Sequence, residues 1–229
     1  MGSLLQDTTL MRFQGTNIHV EGTSYLLTRL ISEKVNVYDN ERIGVFYAQR
    51  ESDMLDTVIK MHIQRHPLNI PYPDEREGIA RVAKARRRGF NEQVQALKDC
   101  SDTSPVRTPI VLGHECRVQG PDFEYKDGYV NLIAMTMLPG RCLLDYRDLS
   151  DVEIYHVKNK LIEICENLRI RGWEYAQAYS EDVLYDRETK AIYLVGFAHV
   201  VKDDPSEIKP IDTESLVIWE FGLNVWRFD

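Results

Sequence analysis

His62 and His66 stand four residues apart, the spacing of half a helical zinc site. Here they close a strand pattern just ahead of Pro67, and no glutamate completes the motif, so no metal is expected on them. Arg81-Val-Ala-Lys84-Ala-Arg-Arg-Arg88 packs five cations into eight residues. On a helix such a run reads as a solvated face, with docking of an acidic partner or an anionic substrate as the alternative. The four cysteines (Cys100, Cys116, Cys142 and Cys165) are too few and too widely spaced for a disulfide scaffold, and none forms a C-x-x-C pair. G-x-S-x-G, Walker and H-E-x-x-H spellings are all missing from the sequence, so hydrolase, P-loop and zincin chemistry lack support.

The chain of 229 residues is 43% hydrophobic and 28% charged, which is globular composition in one large domain or two lobes. The 28 basic and 36 acidic residues leave a net charge of -8, which argues against general affinity for nucleic acid or an anionic membrane. Apolar runs fall far short of the roughly 18 residues a membrane helix needs. Met1-Gly2 resembles a myristoylation start, but Gln6 occupies the place of the expected Ser or Thr. A soluble, cytoplasmic protein without a cofactor is the expectation.

The elements that would position chemistry follow from periodicity. Val35 and Val37, then Ile43, Val45 and Tyr47, alternate about the turn-like Asp39-Asn40-Glu41. Thr57, Ile59, Met61 and Ile63 share one face of a strand, with Val58, Lys60 and His62 on the other. A three-proline segment from Pro67 to Pro73 ends it. A helical pattern from Asp74 to Cys100 follows, with Gly89 as its expected break. Ile110 to Val118 and Tyr129 to Met137 read as strands. Ser150-Asp-Val-Glu153 spells a capping box for a helix that stops at Gly172. A hairpin joins Val183–Asp186 to Ala191–Val195, and Asp212 is expected to cap a last helix carrying Leu216, Trp219 and Leu223.

This order, with four spellings, resembles the protein-kinase-like fold, especially its aminoglycoside and choline phosphotransferase branch and the kinase-like proteins of fungi. Thr57-Val58-Ile-Lys60 resembles the strand bearing the phosphate-binding lysine. Phe90-Asn-Glu92-Gln-Val-Gln-Ala-Leu97 resembles the helix whose glutamate pairs with that lysine. Ile133-Ala-Met135-Thr-Met137-Leu-Pro-Gly140 resembles the hinge, and Tyr175 through Val200 the catalytic loop, hairpin and metal-binding motif. The resemblance implies an α+β, two-lobed fold, with a β-rich N-lobe at 1–137 and a truncated helical C-lobe at 138–229.

The family places phosphates with Lys and Glu, metal with Asn and Asp, and the nucleophile with another Asp. On this sequence the family's His falls on Tyr175, its catalytic Asp on Gln177, its metal-binding Asn on Asp182, and its second metal-binding Asp on Gly196. A neutral amide cannot take the substrate proton, and glycine offers a metal nothing. Only Gly44 lies in the hairpin where a glycine-rich phosphate loop would stand. Two readings follow. The first is a catalytically degenerate pseudokinase that acts by ligand or protein binding. The second is a metal-independent cyclase, isomerase or pericyclase such as a Diels-Alderase, using the former nucleotide cleft for an apolar secondary metabolite. Its polar contacts would be Lys60, Gln177 and Asp182, and Val58, Glu92, Met135, Met137, Tyr175 and Gly196 would line the site. The expected partner is a small apolar molecule or a protein.

Overall fold

The computed structural model describes residues 9–36, 40–65, 75–101, 107–126 and 128–223. The chain forms two compact units, Met1–Phe90 with Val111–Met137 and Asn91–Ile110 with Leu138–Asp229. The strip 91–110, read from sequence as part of the N-terminal lobe, thus groups with the second unit. Asp99 shows why: its carboxylate accepts from the Trp173 indole at 2.9 Å, and the Arg171 guanidinium donates to its backbone carbonyl.

The first unit is a six-stranded sheet. Its strands are β1 (Asn17–Val20), β2 (Thr23–Asn36), β3 (Glu41–Arg50), β4 (Asp56–Gln64), β5 (Val111–Val118) and β6 (Tyr129–Thr136), in the order β1-β2-β3-β4-β6-β5. Alternation on β4 sends Thr57, Ile59, Met61 and Ile63 inward, each at most 1% exposed. Ile59, Met61 and Ile63 join Leu27, Phe46, Val130 and Leu132 in one core with Leu10 of the short helix Leu10–Phe13. Glu21 and Gly22, both with positive φ, make the two-residue turn between β1 and β2.

The sheet curls until its edges meet. Arg117 on β5 donates to the His19 carbonyl at 3.3 Å, and Glu115 accepts from the Glu21 amide at 3.1 Å. Gly113 lets β5 approach Val20, whose Cγ1 stands 3.5 Å from where a Cβ would be. Side chains thereby cover edge groups that would otherwise invite another strand.

Helix α1 (Glu75–Cys100) runs through Gly89 without the expected break. A glycine inside a helix costs about 1 kcal/mol, and the burial of Phe90, Val94 and Leu97 just beyond it outweighs that. The proposed turn at Pro67 to Pro73, together with His66, Val37 and Asp39, lies outside the described residues.

The second unit carries α2 (Asp151–Ile170), a three-stranded sheet of β7 (Arg141–Cys142), β9 (Val183–Asp186) and β10 (Ala191–Leu194), and the pair β8 (Trp173–Tyr175) and β11 (Val200–Lys202). The capping box forms as spelled: Ser150 Oγ accepts from the Glu153 amide at 3.3 Å, and Glu153 Oε2 accepts from the Ser150 amide at 3.0 Å. Arg187 donates to Glu153 at 2.7 Å and to Asp148 at 3.0 Å, fastening the hairpin turn to the helix start. Gly172 ends this helical region with a φ of +75°. The last helix, α3, is only Leu216–Glu220, and Ser215 precedes it. Asp212 instead turns the loop before it, accepting from the Glu214 amide and the Ser215 hydroxyl.

Candidate functional site

The candidate residues divide between the units. Val58, Lys60, Met135 and Met137 belong to the first; Glu92, Tyr175, Gln177, Asp182 and Gly196 belong to the second.

In the first unit the outward face of the sheet is built in rows, because directly opposed residues of antiparallel strands share a face. One row is Tyr47, Val58, Met135 and Val111; the next is Val45, Lys60, Ile133 and His114; the third is Ile43, His62, Asn131 and Cys116. Lys60 is 9% exposed and Met135 4%, while Met137, just beyond β6, is 42% exposed. The two candidate methionines therefore differ: Met135 packs in the sheet, and Met137 is the exposed one of the pair.

Beside Lys60 lies a polar network that sequence reading does not reach. The Glu41 carboxylate accepts from the Tyr129 hydroxyl at 2.9 Å and pairs with His62 Nδ1 at 3.0 Å. Burial alone would raise the Glu41 carboxyl, but the attraction of His62 and the hydrogen bonds from His62 and Tyr129 outweigh it and hold it below the usual carboxylate range. The Phe90 ring stands edge-on to the imidazole at 5.9 Å. Residues from three strands and a helix meet here, and only the β4 alternation hinted at His62.

In the second unit Tyr175, Asp182 and Gly196 come together and Gln177 does not join them. The Tyr175 hydroxyl donates to the Gly196 carbonyl at 2.5 Å. Phe221 packs edge-on against its ring at 5.6 Å, and Phe197 stands at 6.2 Å. Burial, then the Asp182 charge, pushes the Tyr175 hydroxyl well above its ordinary range, so it remains a donor. Burial and then Asp182 raise Tyr179 as well, and burial is the first cause of the raised Cys142 thiol. Gln177 is exposed on the loop. That loop is tied down elsewhere, where Glu220 accepts from the Ala178 amide at 2.9 Å.

The decisive contact is between Asp182 and Gly196. A Cβ on residue 196 would lie 1.8 Å from Asp182 Cγ and 2.0 and 2.2 Å from its two carboxylate oxygens. The Asp182 side chain thus fills the volume where a side chain at 196 would begin. Its backbone is fixed on both sides, the amide donating to Tyr179 at 3.0 Å and the carbonyl accepting from Val195 at 2.8 Å.

Magnesium, which kinase chemistry requires, needs several oxygens arranged octahedrally. The residues present do not fit it. Residue 196 contributes no carboxylate and Asp182 blocks the position, and among the described residues no group of three His, Cys, Asp or Glu side chains is placed to hold a metal. Gly44 is likewise not a phosphate-loop glycine. It sits within β3, and a Cβ there would lie 2.3 Å from Leu10 Cδ1. Its bareness admits a core leucine.

No protein-family model and no curated protein matches the sequence. Solved structures do resemble this one. The bifunctional kinase-methyltransferase WbdD aligns over 82% of this chain and 37% of its own, with a TM-score of 0.53 and 15% identity. The Cydia pomonella granulovirus kinase PK-1 aligns over 78% of this chain and 55% of its own, with a TM-score of 0.51 and 12% identity. Vaccinia related kinase 3 aligns over 84% and 53%, at 0.49 and 18%. The chain spans about half or less of the length of these neighbours. With its β-rich first unit and smaller helical second unit, the chain has an α+β kinase-like fold.

Proposed function

We propose that this chain is a catalytically degenerate kinase-like protein that acts by binding a small apolar molecule or a protein partner and transfers no phosphate. The observation that carries this reading is the Asp182–Gly196 contact. A phosphotransferase corner needs two metal-binding side chains pointing at one ion. Here one of the two is a glycine and the other has moved into its space. Gln177 adds a neutral amide where proton acceptance would be required, and Gly44 serves Leu10 rather than a phosphate. Lys60 keeps a largely buried cation on the outward sheet face, which suits holding a ligand group as well as pairing with a carboxylate.

The test is incubation of the protein with magnesium and ATP, alongside a thermal-shift panel of nucleotides and apolar polycyclic or polyketide-like compounds. We expect phosphate release no greater than the blank. A ligand that binds only the folded state at a hundredfold excess over Kd stabilises by about 2.7 kcal/mol, an easily read shift. Steady phosphate turnover abolished by Lys60→Ala would overturn the proposal. A shift from an apolar compound accompanied by its conversion would replace the binding reading with the repurposed-enzyme one.

A further inference from the structure

The outward face of the first unit contains two polar atoms with no protein partner, His62 Nε2 and Asn131 Nδ2, in residues 5% and 1% exposed. They stand side by side, since His62 and Asn131 are directly opposed on β4 and β6. Leaving a buried donor or acceptor unpaired forfeits the hydration it had in the unfolded chain. Two such atoms on adjacent positions therefore call for a common partner.

The surrounding groups define what that partner must be. Glu41 is an ionised carboxylate and can only accept, so it takes the Tyr129 hydroxyl proton on one oxygen and the His62 Nδ1–H on the other. In the uncharged imidazole this leaves a bare lone pair on Nε2, an acceptor. Asn131 Nδ2 is a donor. The two do not bond each other directly. A single O–H group that accepts from Asn131 and donates to His62 satisfies both at once. Phe90 closes the ring edge on one side, Lys60 and Cys116 flank the pair along and across the sheet, and Arg86 acts on the Glu41 charge from α1. The smallest group that meets this requirement is a water molecule. Globular proteins hold about one buried water per 27 residues, placed at sites of this kind.

We propose that one internal water bridges His62 Nε2 and Asn131 Nδ2, fixing His62 in its Nδ1–H tautomer and completing a chain from Tyr129 through Glu41 and His62 to Asn131. The proposal stands on the first unit alone and does not depend on the binding reading above.

A high-resolution crystal structure of the full chain, with nitrogen-15 spectra of the His62 ring at mildly alkaline pH, tests it. The expected result is an ordered oxygen within hydrogen-bond distance of both atoms, a protonated Nδ1 and an unprotonated Nε2. In Asn131→Leu the oxygen should be lost while the Glu41–His62 bond persists. A protonated Nε2 facing an Asn131 side chain turned to present its carbonyl oxygen would overturn the proposal. So would a well-ordered site with no oxygen between the two residues.

Discussion

Gly196→Ala is the most direct probe of the reasoning about the second unit. The backbone at 196 has no positive φ, so alanine is conformationally acceptable, and reduced freedom of the unfolded chain favours it by about 0.4–1 kcal/mol. The obstacle is the new methyl, which meets Asp182 Cγ and both oxygens at 1.8–2.2 Å. Rotation about the Cβ–Cγ bond of Asp182 cannot relieve three simultaneous collisions, and the backbone bonds to Tyr179 and Val195 hold residue 182 in place. The side chain must leave its rotamer or the hairpin must shift. Overpacking of this kind costs about 1–3 kcal/mol, which leaves a net loss of about 1–2 kcal/mol. Urea unfolding should show a lower midpoint with an unchanged slope. The control is the same substitution in an Asp182→Ala background, where the methyl meets no carboxylate and should be neutral or stabilising. The reasoning fails if Gly196→Ala is harmless in the native background, or if its cost is equal in both.

Gly44→Ala should lower stability by about 1–3 kcal/mol, because its methyl would stand 2.3 Å from Cδ1 of the buried Leu10, and Leu10→Ala in the same chain should remove most of that penalty; urea midpoints of the three variants decide it. Ser150→Ala should cost about 1 kcal/mol through loss of the cap, and Ser150→Asp should retain most of it in the same assay. Glu41 is held below the unfolded carboxylate value of about 4.3, so its contribution is present above that pH and is lost as pH falls through the folded value. The stability of the native protein should therefore drop more steeply below about pH 4 than that of Glu41→Gln, and parallel profiles would refute the assignment.

The parts of the fold legible in sequence were those governed by neighbours along the chain. The alternation of Thr57, Ile59, Met61 and Ile63 is visible because a one-sided core demands period two. The Ser150–Glu153 capping box and the hairpin at 183–194 are also local. The parts that escaped depend on distant encounters. Nothing near His19 or Glu21 announces that Arg117 and Glu115 will close the sheet onto them. The Glu21-Gly22 turn was readable as a two-residue hairpin signal, but the short β1 around Ile18 and Val20 gave too little pattern to frame it. Gly89 misled because propensity is a weak prior and apolar burial beyond it prevailed. At the candidate site, the motif spellings located Tyr175, Asp182 and Gly196 but could not tell that Asp182 occupies the space of residue 196.

A glycine at a functional position has two opposite meanings: it makes room for a ligand, or it makes room for the protein's own side chain. At Gly44 and at Gly196 the room is taken from within, by Leu10 and by Asp182. Adding a side chain at either place would therefore bring a clash before it brought any chemistry. Gly196→Asp would force two carboxylates together as well as collide, so it should destabilise more than Gly196→Ala and evoke no phosphate release with magnesium and ATP. The obstacle to a metal-binding side chain at 196 is then one of packing as well as of a missing group. Among the candidate residues, Met137 and Gln177 stay exposed, whereas Lys60 and Met135 are enclosed.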